Sequence, residues 1–330
     1  MAEEKIIEPE KTPTGILSDA SVMCPSDVLE NDIRSNMPRI LEILLIDRTT
    51  STPSTSKNII WANDHYKEYG ADEYAATAEI KPELITGEKG TLIMPRALKT
   101  RALQKTRTKM QAEVFTPTWI VKKQNDIVDE GYQTDDLEAY TCRTWLEVAC
   151  GEAPYMATRY DMGTGEPIPL VERTGFVDRK FARINNEVDD KAEWQRLVEL
   201  AYKSSYGFEW NGDSLLLARE NLLYTYRDYY VFKWGVEPLQ GLFEEIAKII
   251  SYNIFQMDGL KLIIPLTEKK EKVNNEQLLL FESQGMGGSQ QELFDREELE
   301  EEWRVIPGKR VRVMNWDTNK MEYFDKGVKR

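Results

Sequence analysis

TWLEVACGEAPY, Thr144 to Tyr155, is the stretch on which the fold turns. It reads as a short buried strand ending in a glycine-containing turn. A strand that closes on small residues lets a ligand approach the backbone at the carboxyl end of a sheet. Gly151 removes the Cβ where that approach is closest, and Ala149 and Cys150 keep the turn small. Glu147, inside the strand, is placed to accept hydrogen bonds from a cationic or amide-bearing ligand. Taken alone, one glycine in a turn is more often only a turn.

Downstream, residues 158–190 read as a long irregular stretch. A helix follows at Ala192–Ser205, then a second short strand, YGFEW (Tyr206–Trp210), then a long helix with an apolar stripe, Asp213–Trp234. Another helix spans Pro238–Asn253, and a third strand lies in IFQMDG, Ile254–Gly259. Strands alternating with helices predict an α/β protein with parallel strands. Glu209, at the end of the second strand, stands where nucleotide-binding sheets hold ribose hydroxyls, with Trp210 beside it to pack an adenine ring. Asp258, before Gly259, is placed to accept from an exocyclic amine, although Asp–Gly is also an ordinary turn pair.

Upstream, EVFTP (Glu113–Pro117) opens a helix over Trp119–Glu130, with Thr116 suited to cap it and Pro117 to its first turn. LEILLID (Leu41–Asp47) and KNIIWAND (Lys57–Asp64) flank TTSTPSTS and read as strand–loop–strand. Residues 1–35 read as a poorly ordered arm. PRALKTRALQKTRTK, residues 95–109, holds six Lys or Arg and no acid. It is either a solvated helix face or a strip that contacts a phosphate backbone through Arg96, Lys99, Arg101, Lys105 and Arg107. Residues 265–304, charged and Gly/Gln-rich, read as a flexible linker with a short acidic helix, and Arg310–Asp325 as a β-hairpin. The expected division is an N-terminal α+β region at 1–110, a sheet domain at 111–264, the linker at 265–304 and the hairpin at 305–330.

The 330 residues carry 43 Lys+Arg against 57 Asp+Glu, a net charge of −14. That balance argues against this chain alone wrapping a nucleic acid. Its 41 % hydrophobic content is that of a globular protein. A single histidine, His65, disfavours a Ser-His-Asp triad or a His-rich metal site. Three cysteines, Cys24, Cys142 and Cys150, form no disulfide framework and suit a reducing cytoplasm. The charged N-terminus lacks a signal core, and no run reaches membrane-spanning length.

In order, EVFTP, LEVACGEAPY, YGFEWNGDSLLLARENL and NIFQMDGL resemble the N6-adenine DNA methyltransferases of restriction–modification systems, in the class whose cofactor motifs precede the catalytic one. The match runs from Glu113 to Leu260. The resemblance implies a class I S-adenosylmethionine-dependent (Rossmann-like) fold. It places Phe115, Thr116 and Pro117 at the methionine end of the cofactor, with Glu147, Ala149, Cys150 and Gly151 in the second motif. Glu209 and Trp210 fall at the ribose and adenine, and Asp258 with Gly259 at the adenine. Val148 stands where the family has Pro, Ala153 where it has a second Gly, and the separation of Gly151 from Glu209 is longer than usual.

The family's N-P-P-Y or D-P-P-Y motif holds the target amine and stacks on the flipped base. This chain has no Pro-Pro dipeptide, so its catalytic residues stay unassigned and the sheet is expected to be incomplete. MNWD (Met314–Asp317) reads as hairpin, not as a replacement. Two readings follow. In one, the chain is the cofactor-binding subunit of a split methyltransferase. A second subunit then brings N-P-P-Y and target recognition, and double-stranded DNA binds through the complex. In the other, it is a non-catalytic, degenerate regulatory or anti-restriction protein whose acidity mimics DNA. Methyl transfer of this kind requires no metal. A nicotinamide-dependent dehydrogenase is disfavoured because CGEAPY supplies no G-x-G-x-x-G turn. The long helix after the second strand and Asn274–Gln284 are candidate partner-facing segments.

Overall fold

A computed structural model describes residues 25–111, 116–272 and 303–327. Most of the N-terminal arm, Phe115 and Asn274–Gln284 lie outside the described residues. The first helices are α1 (Glu30–Asn36) and α2 (Pro38–Leu45). Most of LEILLID is therefore helix, not strand. Pro38 presets the first turn, and Ile40, Leu41, Leu44 and Leu45 form one fully buried face. Lys57–Asp64 makes only isolated bridges, Ile46 with Asn58 and Ile60 with Glu79. With the short α3 (Pro82–Ile85) and α4 (Arg101–Gln111), residues 25–110 are helical and irregular. The α+β expectation for this region is corrected accordingly.

The basic segment divides on α4. Arg101 and Lys105 are exposed, whereas Lys99 and Arg107 are buried. Arg107 donates to Asp213 Oδ2 at 2.8 Å and to Tyr66 Oη at 2.7 Å. A guanidinium enclosed in this way cannot reach a phosphate. Arg96 is half-buried and donates to Thr108 Oγ1 at 3.2 Å. The five-residue phosphate strip is thus reduced to its exposed members.

Helix α5 (Thr118–Asp129) begins after Pro117, which takes the cap position. No side chain caps it, so Thr116 does not play that role. Helix α6 (Leu137–Cys142) is capped by Asp136, whose carboxylate accepts from the Ala139 N–H at 2.8 Å. Then come β1 (Trp145–Val148), α7 (Phe176–Glu187), α8 (Lys191–Lys203), β2 (Ser205–Glu209), α9 (Gly212–Trp234), α10 (Gln240–Asn253) and β3 (Ile254–Gln256). The strands pair in parallel in the order β1-β2-β3, with Leu146 opposite Tyr206, Val148 opposite Phe208, and Phe208 opposite Phe255.

Helix α7 occupies a stretch expected to be irregular. Its pattern is hidden because polar residues face the core. Asp178 accepts from the Thr158 N–H at 2.7 Å and the Gly175 N–H at 3.2 Å. Lys180 Nζ donates to Arg143 O and Ser204 Oγ, both at 2.7 Å, and burial lowers its pKa to about 7. Helix α9, expected to carry one apolar stripe, is buried over most of its circumference. Its Arg219 is fully buried and donates to the carbonyls of Ile46, Ser251 and Ile254, fastening α2, α10 and β3 together. Gly235 ends α9 in the left-handed region, φ 68°, where a Cβ is unfavourable.

Alternation along the strands gives the sheet two different faces. Trp145, Glu147, Gly207 and Ile254 face the helices, where Trp145 stacks on Phe176 of α7 with centroids 4.9 Å apart. Phe208 and Phe255 lie in a smaller core with Met257, Ile264 and Val311. Strand β4 (Lys269–Lys272) pairs antiparallel with β5 (Trp303–Ile306), so both ends of the expected linker hold strand. Strands β6 (Arg312–Asn315) and β7 (Lys320–Tyr323) form the C-terminal hairpin, and Phe324 beyond it packs on Phe208 and Phe255. The main core is continuous from Ile33 to Ile254 and crosses position 110 without a break. Among the described residues no helix is long and apolar enough to cross a membrane.

Candidate functional site

A cavity of about 1100 Å³ opens at the carboxyl ends of β1 and β2. Open parallel α/β sheets bind ligands at this end. Four stretches far apart in sequence build it: Thr116 with one face of α5 and Tyr132 just beyond it, the β1 strand and its turn, Phe176 of α7, and Glu209–Asn211 with Ser214.

The turn winds tightly. Ala149, Gly151 and Ala153 all sit in the left-handed region, with φ of 51°, 55° and 60°. A non-glycine residue there costs about 1 kcal/mol or more, which accounts for the small residues at these positions. Ala153, where the resemblance leads one to expect glycine, holds a glycine-like conformation. The turn lies close over β2: a Cβ on Gly207 would meet Met156 Cε at 2.4 Å and Cys150 Sγ at 3.3 Å.

Two buried carboxyls fix the turn. Glu147 accepts from the Tyr155 N–H at 3.2 Å and the Met156 N–H at 3.0 Å. Its carboxyl ties the loop back onto β1 while also lining the cavity, so any ligand it meets there shares it with these two backbone donors. Burial pushes this carboxyl up to about 8, the nearby charge of Glu209 adding to the rise. Glu209 accepts from the Gly151 N–H at 2.9 Å, the Asn211 N–H at 3.0 Å and Asn211 Nδ2 at 3.3 Å. Burial raises its pKa against those donors. The Asn211 side-chain bond is the longest, and a ligand hydroxyl can replace it without opening the backbone framework. Neither acid forms an ion pair among the described residues.

The walls are aromatic. Trp145, Phe176, Tyr132, Tyr155 and Trp210 line the cavity, and the Trp210 indole N–H donates to Ala62 O at 2.8 Å. Cys150 lines it as well; burial, with the charges of Glu147 and Glu209 adding to it, raises its thiol well above the ordinary range.

Of the residues read from sequence, Thr116, Glu147, Ala149, Cys150, Gly151, Glu209 and Trp210 come together here. Pro117 caps α5 outside the lining. Asp258 and Gly259 do not line the cavity either; Asp258 Oδ1 accepts from the Leu260 and Lys261 N–H groups at 2.9 and 3.0 Å and closes a turn. Sequence reading missed Gln124 and Val128, whose spacing of four marks one face of α5, and Tyr132 in the 3-10 turn that follows. It also missed Asn211, which adjoins the strand-end acid it contacts. Among the described residues no group of three or more His, Cys, Asp or Glu is arranged to hold a metal ion.

Compared with known protein families, characterised proteins and solved structures, the chain matches none.

Proposed function

We propose that this chain is the S-adenosylmethionine-binding subunit of a two-chain DNA adenine-N6 methyltransferase of the restriction–modification type, with a class I sheet whose catalytic half lies on the second chain. One observation carries the reading. The motif residues around Gly151 and Glu209, 58 positions apart, meet through a direct hydrogen bond at the mouth of a large cavity at the carboxyl end of a parallel sheet. The donor set fits the cofactor. Two buried carboxyls without a cationic partner suit a ligand bearing a sulfonium and an ammonium group. The aromatic walls suit an adenine ring, and Glu209 suits a ribose hydroxyl.

Bound there, S-adenosylmethionine would supply the electrophilic methyl group. Glu209 would orient the ribose, the turn at Ala149–Ala153 would admit the cofactor close to the backbone, and the aromatic residues would exclude water. Methylation and DNA recognition would need the second chain. Arg101 and Lys105 are exposed bases on α4 available to a DNA backbone.

Calorimetry on the purified chain tests the site. The wild type should bind S-adenosylmethionine. Glu209→Gln should weaken binding by about 10-fold or more, the loss of a charge-assisted hydrogen bond. Gly151→Leu should abolish it, while thermal melting confirms that each variant is folded. Absence of binding by the wild type, or unchanged affinity in both variants, refutes the assignment.

A further inference from the structure

Asn125 of α5 lines the cavity, and its side chain is almost wholly enclosed, the residue being 3 % exposed. Its Nδ2 donates to Tyr155 O and to Thr174 O, each at 3.0 Å. An amide nitrogen carries two protons, so both are used and the orientation of the carboxamide is fixed. Oδ1 receives no hydrogen bond among the described residues and keeps accessible surface at the cavity wall. Polar atoms of buried side chains are ordinarily paired. This one is an acceptor set in place and turned to the ligand space.

Its surroundings define what it can accept from. Tyr155 takes an Asn125 proton at its carbonyl and gives its own N–H to Glu147 at 3.2 Å. The amide oxygen and the Glu147 carboxyl thus belong to one side of the cavity, that of β1, whereas Glu209 and Trp210 stand at the end of β2. Rings complete the β1 side: Trp145 stacks on Phe176 and meets Tyr132 edge-on at 6.1 Å. Among the described residues no Lys, Arg or His lines the cavity. Arg179 also donates to Thr174 O, at 3.0 Å, but its charge is paired with Asp126 and Asp129. A primary ammonium group offers three donors and a charge drawn to ring faces. It can meet both acceptors and the rings together, which a hydroxyl with its single donor cannot.

We infer that Asn125 is a specificity-determining residue, whose Oδ1 selects a ligand carrying a primary ammonium group on the β1 side of the cavity. The proposal rests on the S-adenosylmethionine reading above and names the acceptor for that cofactor's amino group. The stretch between Gly151 and Glu209 supplies the aim. Thr174, which holds one Asn125 proton, donates its N–H to Thr158 Oγ1 at 2.7 Å, and Asp178 of α7 accepts from the Thr158 N–H at 2.7 Å. The same stretch brings Phe176 to the wall. Its length therefore has a use at the site, as the scaffold that orients Asn125.

Calorimetry on the full-length chain compares S-adenosylhomocysteine with its deamino analogue, which lacks only the amino group. Both keep the adenosine, the carboxylate and a neutral sulfur. The wild type should prefer the amino form by about tenfold or more. In Asn125→Ala that preference should shrink about fivefold or more, while the deamino analogue binds within about twofold of the wild type. Asn125→Asp, which keeps an oxygen at the position, should retain the preference. A merely structural role would weaken both ligands alike, so an equal loss in Asn125→Ala overturns the proposal, as does an unchanged preference. If Asn125→Ala does not fold, the wild type decides. Its Asn125 carboxamide, recognised in nitrogen-15 spectra by its contacts with Tyr155, should shift with S-adenosylhomocysteine and not with the deamino analogue; equal shifts overturn the proposal. A wild type that binds both ligands without preference removes this inference alone. One that binds neither removes the cofactor reading and this inference with it.

Discussion

Ala149 holds a φ of 51° with its methyl group in solvent. It bears the strain of a left-handed conformation without gaining any packing. Ala149→Gly removes that strain at the cost of a more flexible unfolded chain, and is expected to stabilise the protein by about 0.5–1 kcal/mol. An unchanged or lower urea midpoint would contradict this. Glu147 gives a second expectation at this scale. Its carboxyl, pushed up to about 8, is mostly protonated at neutral pH in the free protein. A cationic ligand favours the ionised form and should displace the proton. Affinity for S-adenosylmethionine should then rise between pH 6 and 8, by up to about tenfold per unit. Glu147→Gln should flatten that dependence, and a profile that is equally steep in the variant would exclude Glu147 as its source.

At the scale of elements, the tie between α4 and α9 separates structural from available basic residues. Burial opposes ionisation of Asp213, but Arg107 and Lys99 overcome it and hold the carboxyl well below the usual range. Removing Arg107 takes away the cation that bonds this buried charge directly and leaves it to Lys99, Tyr66 and Asn63. Arg107→Ala should cost about 3–5 kcal/mol in chemical denaturation, whereas Arg101→Ala and Lys105→Ala should each stay within about 0.5 kcal/mol. Equal effects at the three positions would show that α4 does not dock through Arg107.

Over the whole molecule, Glu30 of α1 and Glu220 of α9 are buried acids close enough for the Glu30 charge to act on Glu220. Among the described residues, no other residue's hydrogen bond meets the Glu30 or the Glu220 carboxyl. Burial raises Glu30 to about 8, with Asp27 adding to the rise, and raises Glu220 well above its ordinary value, with Glu30 adding. The native state therefore keeps protons that the unfolded chain releases near 4.5. Stability from Glu30 is complete below about pH 4.5 and is lost as the pH rises through about 8, and Glu220 acts in the same direction. The melting temperature should fall between pH 5.5 and 8.5, and Glu30→Gln or Glu220→Gln should reduce the fall. A melting temperature that rises over this range would show that these acids do not bind their protons in the folded chain.

The sequence by itself indicated three strands along the chain, the turn at Gly151, the strand-end acid Glu209 and the terminal hairpin. Each is local: alternation, a small-residue turn and a strand-end carboxylate are written in a few adjacent residues. Only the tertiary structure decided the rest. LEILLID is too short an apolar run for periodicity to separate buried helix from strand, and its burial in the core made it helix. Helix α7 was masked by Asp178, Lys180 and Asn185, whose buried partners lie on other elements. Arg107 looked like a free base until Asp213, 106 positions away, was found against it. Glu147 and Glu209 were read as ligand acceptors, and the fold also binds them to its own loop. Such pairings join residues distant in sequence, and local pattern carries no record of them.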